Sequence, residues 1–268
     1  MFCQSISLRE SELQARIINV SSQFPDSVVG VVFHDLENNT SVAMNAEHIF
    51  DPASIIKLPI MVETFSQIHK GRIKASDLLT MLHTDKSDGS GKLKYLPDNT
   101  QVDVISLIEL MMIYSDNTAT HMLIRKLGLK SINNTCQEIG LTNTVIGTPD
   151  LLNSKGLNTT TAKDISHILH LLYNKTLVSS QASQTMLQIL TQQHYTWGIP
   201  KHLPKSIEIA HKTGTLKNVQ HDIGIVFSTP SPYILTILTS HQSHDLFAKS
   251  FIASLSKEIY IWKTNQKQ

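Results

Sequence analysis

The chain has 268 residues, 41% of them hydrophobic, which is enough to bury one substantial core. With 23 Lys and Arg against 22 Asp and Glu, the formal net charge is +1, so the strongly basic face of a nucleic-acid binder is not expected. Ordinary apolar content argues against disorder, and no apolar run reaches the ~18 residues that cross a bilayer, so a soluble globular protein is expected.

In chain order, Leu8, Leu13, Ile17, Ile18 and Val20 space a helix over 7–24. Residues 28–36 (VVGVVFHDL) are β-branched and apolar, and Glu37, Asn38, Asn39 and Thr40 supply a turn before SVAMN, the pattern of a β-hairpin. Helical spacing resumes from Ser54 to about Lys70, with Gly71 as its stop. Residues 83–101 form a polar, glycine-bearing loop, and helices are predicted at 103–114, 117–127, 131–139, 161–174 and 180–193. The period then drops to two in SIEIAHKTGT, HDIGIVFS and YILTILTSH, three strands joined by short turns. A last amphipathic helix over 245–263 carries Leu246, Phe247, Phe251, Ile252, Leu255, Ile259 and Trp262.

This order predicts an α/β fold of the α+β sandwich kind: a five-stranded antiparallel sheet flanked by N- and C-terminal helices, with an inserted all-helical lobe. The chain reads as one domain, 1–268, with a sheet lobe of 1–53 plus 204–268 and a helical lobe of 54–203. A small-molecule site is expected in the cleft between the lobes.

Two cysteines, Cys3 and Cys136, rule out a disulfide scaffold and leave one bridge between them open. Thirteen histidines include no HExxH; the pairs His167/His170 and His241/His244 read as scattered surface or helix-face side chains. No metal and no other cofactor is expected. The N-terminal MFCQSISLRE shows no basic stretch followed by an apolar core, so no signal peptide is visible in it.

Three short motifs carry chemistry. Ser54-Ile55-Ile56-Lys57 puts a hydroxyl and an amine on one face of a helix start. A serine is a weak nucleophile that needs a base, and a lysine serves once desolvation or a nearby cation lowers its pKa. Ser254-Leu255-Ser256-Lys257 repeats the spacing, but on the terminal helix it reads as a solvated face. Ser115-Asp116-Asn117 offers hydrogen-bonding groups for a proton relay, or simply the N-cap of the next helix. Lys212-Thr213-Gly214-Thr215 falls on a strand, with Lys212 and Gly214 on one side and Thr213 and Thr215 on the other. Lys212 offers a cation to a carboxylate and Gly214 allows close approach; an edge strand guarded by a lysine is the plainer reading.

In combination, and in this order, the three motifs resemble the penicillin-recognising serine hydrolases, most closely the class A β-lactamases. The resemblance runs from GVVFHDLENN through DPASIIKLPIM, MMIYSDNTATHMLI, LNTTTAKDI and AHKTGT to the final helix. It implies an acyl-enzyme mechanism in which Ser54 attacks a β-lactam or D-alanyl-D-alanine carbonyl and Lys57 and Ser115 move protons. Asn117 would hold the acylamide side chain, Lys212 with Thr213 the substrate carboxylate, and Gly214 would let the substrate approach. The backbone N–H groups of Ser54 and Thr215 would form the oxyanion hole. It further implies work outside the cytoplasmic membrane, periplasmic or secreted, and a monomer is expected.

The departure lies in the Ω loop, where class A enzymes carry a Glu that activates the deacylating water. Here the stretch is NTVIGTPDLLNSKGLNTTT, with no Glu. Asp150 is the carboxylate nearest that position and is the candidate base, with a reach shorter by roughly 1.5 Å; a Pro-Asp turn is its other reading. Three functions therefore stand side by side: a β-lactam-hydrolysing enzyme with slow deacylation, a penicillin-binding D,D-peptidase acting on peptidoglycan stem peptides, and a non-catalytic β-lactam sensor. Glutaminase-type chemistry is a remote fourth.

Overall fold

Local signals start each element. Ser7 and Glu10 close a capping box that begins α1 (Leu8–Ser21) in the computed structural model, which describes residues 7–24, 27–38, 40–241 and 245–265. The hairpin follows as β1 (Val28–Asp35) and β2 (Ser41–Met44). A 3₁₀ turn over Ala53–Ile56 leads directly into α2 (Lys57–His69). Two small ribbons interrupt the helical segment, β3 (Leu78–Thr80) with β4 (Gln101–Asp103), and β5 (Val145–Ile146) with β6 (Asn158–Thr159). Between them lie α3 (Val104–Ile113), α4 (Asn117–Leu127) and α5 (Leu129–Glu138), and after them α6 (Ala162–Tyr173) and α7 (Ser180–Thr191). Asp103, Asp116, Thr161 and Ser179 N-cap α3, α4, α6 and α7, each accepting from the N–H three residues on. The chain closes with a 3₁₀ turn at Ile199–His202, β7 (Ile209–Leu216), β8 (Val219–Val226), β9 (Tyr233–Ser240) and α8 (Asp245–Thr264).

The sheet has five strands in the order β2-β1-β9-β8-β7, every neighbour antiparallel. Both faces are covered. Phe33, Leu235 and Ile237 pack on the terminal helices through Leu13, Ile17, Phe251, Leu255 and Trp262. Ile223, Ile225, Ile234 and Leu238 join the core of the helical lobe with Ile56, Leu58, Ile165 and Leu169. Each such fully buried side chain stabilises the fold by about 2 kcal/mol against exposure. Two-sided burial is why YILTILTS is nearly continuously apolar rather than strictly alternating.

The predicted lobe boundary at 203/204 shifts. Ile199 and Leu203 pack with the terminal helices, because the 3₁₀ turn lies on α8, where the Ser256 hydroxyl donates to the Ile199 carbonyl at 3.0 Å. The predicted loop over 83–101 holds two 3₁₀ turns and the start of β4, and the helix predicted at 131–139 begins at Leu129. Cys136 is buried, and burial pushes its thiol up to about 12; Cys3 and His244 lie outside the described residues. No helix among the described residues is long and apolar enough to cross a membrane.

Candidate active site

The 3₁₀ turn does what a regular helix would do less tightly: it eclipses positions i and i+3. Ser54 Oγ and Lys57 Nζ lie 3.2 Å apart. Ala53, just before, is held in the left-handed region at φ 45°. Its N–H donates to the Asp51 carboxylate at 3.1 Å, the Ser154 hydroxyl donates to the same carboxylate at 2.8 Å, and His221 Nε2 lies 2.8 Å from the Asp51 carbonyl. The approach to Ser54 is thus fixed from the sheet and from the Ω loop together. None of these three supports was visible from sequence spacing.

Lys57 is fully buried. Its Nζ lies 2.6 Å from the Ser115 carbonyl and 2.7 Å from Asn117 Oδ1, both of which only accept. Asn117 is oriented by its Nδ2, which donates to the Asp88 carbonyl at 2.7 Å. A neutral amine has two hydrogens for those two acceptors, which turns its lone pair toward the hydroxyls of Ser54 and Ser115, the latter at 3.1 Å. Burial, and then the Lys212 cation, hold the Lys57 pKa well below that of a free lysine, with Asp116 opposing. Lys212 is also fully buried, and burial lowers it to about 7 against the opposing charge of Asp222. Its Nζ donates to Ser115 Oγ at 3.1 Å and to the Thr213 carbonyl at 2.8 Å, so Ser115 bridges the two amines.

In Ser115-Asp116-Asn117 the cap falls on the middle residue. Asp116 caps α4 through the Ala119 N–H at 2.9 Å and accepts from the N–H groups of Lys92 and Leu93 at 2.8 and 2.9 Å. That leaves Ser115, at φ 57°, and Asn117 to face Lys57. The loop gripped by Asp116 needs Gly91: its φ is +96°, and a Cβ there would lie 2.1 Å from the Asp116 carboxylate. Likewise Lys212-Thr213-Gly214-Thr215 lies on β7, which is indeed the sheet's edge. A Cβ on Gly214 would meet Ile55 and Ala53 at 3.2 and 3.3 Å, so the glycine lets β7 lie close against the turn that carries Ser54.

Ser54, Ser115, Thr213 and Thr215 line one cavity of about 210 Å³ with Ser90, Tyr195, Trp197 and Lys249. A second, of about 310 Å³, continues from Ser54, Ser90 and Thr215 past Asn117 to Leu151 and Leu152. The structure thus brings together Ser54, Lys57, Ser115, Asn117, Lys212, Thr213 and Thr215, and adds Ser90, Tyr195, Trp197, Lys249 and Leu151, which no spacing rule marked.

Asp150 lies in the Ω loop. It is exposed, and its Oδ1 accepts from the N–H groups of Leu152 and Asn153 at 3.1 and 3.0 Å. It lines neither cavity; its neighbours Leu151 and Leu152 line the second together with Ser54. The physical reason is local: a carboxylate after proline finds the backbone N–H groups two and three residues on as its nearest donors. Ser254 and Lys257 are exposed on α8. Among the described residues no group of three His, Cys, Asp or Glu side chains could hold a metal ion.

Half-buried Ser54 and buried Lys57 and Ser115 thus meet at the seam of an antiparallel sheet and a helical lobe. The sequence matches the beta-lactamase enzyme family over residues 11–262, and the chain belongs to that family. Among solved structures, PBP-A superposes with a TM-score of 0.90 at 30% identity, over 96% of this chain and 97% of that one. Its leucine-to-glutamate variant, as the acyl-enzyme complex with penicillin G, gives the same values. A β-lactamase from Sphaerobacter thermophilus shares the fold with a TM-score of 0.89 at 21% identity, over 96% and 99% of the two chains. Among curated proteins none matches the chain.

Proposed function

We propose that the protein is a β-lactamase-type serine hydrolase that opens β-lactam rings through an acyl-enzyme on Ser54 and releases the acyl group slowly. The observation that carries this reading is the position of Lys57 Nζ, within hydrogen-bonding distance of both the Ser54 and the Ser115 hydroxyl and with its own hydrogens engaged elsewhere. Lys57 takes the Ser54 proton as Oγ attacks the carbonyl. The N–H groups of Ser54 and Thr215 stabilise the oxyanion. Ser115 gives its proton to the departing nitrogen and regains one through Lys57. Asn117 uses its remaining N–H for the acylamide carbonyl, and Thr213 with Lys212 meets the substrate carboxylate.

Deacylation is slow in this reading because the Ω loop carries no Glu and lines the second cavity with an apolar pair, Leu151 and Leu152. Asp150 is assigned to the turn and not to the chemistry. The same leucine wall, with the 30% identity to PBP-A, supports a second reading: a D,D-peptidase acting on peptidoglycan stem peptides and trapped by penicillin. Either activity belongs outside the cytoplasmic membrane, where the wall and its antibiotics are.

Stopped-flow acylation with a chromogenic cephalosporin, followed by release of D-alanine from a D-alanyl-D-alanine peptide, tests both. Sustained slow cephalosporin turnover without peptide cleavage supports the hydrolase; peptide cleavage with a long-lived cephalosporin adduct supports the peptidase. A permanent adduct with neither turnover makes the protein a sensor.

A further inference from the structure

His221 takes no part in the steps proposed above, yet it is fully buried next to the residues that perform them. It pairs with Gly214 across β7 and β8, and a Cβ on that glycine would lie 3.3 Å from its ring. Nε2 lies 2.8 Å from the Asp51 carbonyl, and Nδ1 lies 2.8 Å from the Gln220 carbonyl and 3.1 Å from the Thr239 nitrogen. Burial holds its pKa below that of a free histidine, so the ring carries one proton between two carbonyls. The Gln220 carbonyl already accepts from the Thr239 hydroxyl at 2.6 Å. Among the described residues no other donor meets the Asp51 carbonyl. The proton therefore sits on Nε2, and Nδ1 accepts from the Thr239 N–H.

This bond links the two halves of the proposed oxyanion hole. Asp51 leads through the left-handed Ala53 to Ser54, the source of one N–H. Gln220, beside His221, pairs with Thr215, the source of the other, and its Oε1 accepts from the Thr215 hydroxyl at 2.9 Å. Two consecutive residues of β8 thus hold the Ser54 turn and the end of β7. We propose that His221 is a positioning residue: through the Asp51 carbonyl it keeps the Ser54 N–H in register with that of Thr215, so that both reach the developing oxyanion. The assignment rests on the acylation chemistry proposed for Ser54.

The test uses two amides. An asparagine keeps an acceptor for the Thr239 N–H but stops short of Asp51, whereas a glutamine returns an N–H near the place of Nε2. With a penicillin, His221→Asn should lower the limiting acylation rate on Ser54 by about thirtyfold, since misplacement of about 1 Å costs up to about a hundredfold. The apparent affinity for the penicillin should hold within about twofold, because the lost contact acts in the transition state. A boronic acid that adds to Ser54 and puts a tetrahedral oxygen in the oxyanion hole should bind more weakly by the same factor as the rate. His221→Gln should recover rate and boronate affinity to within about threefold of the parent. Parental acylation in His221→Asn, a slower rate without the matching loss on the boronic acid, a loss that His221→Gln shares, or a His221→Asn chain that does not fold would each overturn the proposal. The parent protein keeps the two claims apart: failure to form any Ser54 adduct would remove the acylation chemistry itself. A normal adduct with an indifferent His221→Asn removes only the role of His221.

Discussion

At the scale of single residues, the proposed chemistry depends on two buried lysines that share one serine. Lys57→Arg keeps the charge and roughly the length but stays protonated, so acylation should fall by about a thousandfold, read as loss of the burst with a chromogenic substrate. The pH dependence follows from the same pair. Lys57 acts as base only when neutral, so the acid limb should lie well below an ordinary lysine's range, as its burial and the Lys212 charge require. Lys212 binds an anion only when protonated, so acylation efficiency should decline above about pH 7. Removing that cation in Lys212→Met lets the Lys57 pKa rise, which moves the acid limb to higher pH; an unmoved limb would mean that the two amines do not interact. The grouping of Ser54, Lys57, Ser115, Asn117 and Lys212 was legible because their motifs are short and local. The hydrogen-bond partners of Asp150 were not legible, because a sequence shows that a carboxylate is nearby but not which donors it will turn to.

At the scale of elements, the loop over Asp116 and the Ω loop set the walls of the site. Gly91→Ala introduces both a strained φ and a clash with the Asp116 carboxylate, at a cost of about 3 kcal/mol. Its melting temperature should drop and its acylation should slow together, because Asp116 positions Ser115 and Asn117. Asp150→Asn, by contrast, keeps an oxygen for the two N–H groups of its turn, so the rate of acyl release should stay within about twofold. Leu151→Glu introduces a carboxylate at a residue that lines the same cavity as Ser54, and release should accelerate by at least about tenfold, measured as the steady rate after the burst. Long helices and the sheet strands were legible from their periods. The ribbons β3–β4 and β5–β6 were not, because two or three residues are too few to show a period, and the pairing partners lie at least 21 and 12 residues away.

At the scale of the molecule, the terminal helices close the outer face of the sheet, and one buried ion pair ties the last turn of α8 to the end of β1. Lys263 Nζ lies 2.6 Å from the Asp35 carboxylate, and the Ser231 hydroxyl donates to that carboxylate at 3.0 Å. Burial alone would raise the Asp35 pKa. The hydrogen bonds from Lys263, the N–H groups of Asn38 and Glu37, and Ser231 outweigh it and hold the carboxyl at about 2. A carboxyl lowered on folding stabilises the protein by about 2 kcal/mol above pH 4, a contribution lost as pH falls toward 2. Lys263→Met leaves the Asp35 charge buried without its partner and should cost about 3 kcal/mol at neutral pH, measured by urea unfolding. The fold class and the inserted lobe were legible from element order alone. The strand order, and the reach of α8 to the acylation cavity through Lys249, depend on contacts between distant segments that no local pattern encodes.

The most direct measurement is the mass of the intact protein, and of its Ser54 peptide, through a time course with excess penicillin. Ser54 should carry one adduct within the mixing time of the burst, the adduct should persist far longer than it takes to form, and Ser54→Ala should carry none. Turnover of penicillin with no detectable adduct, or an adduct that survives in Ser54→Ala, would contradict acylation at Ser54 behind a wall that is slow to admit water.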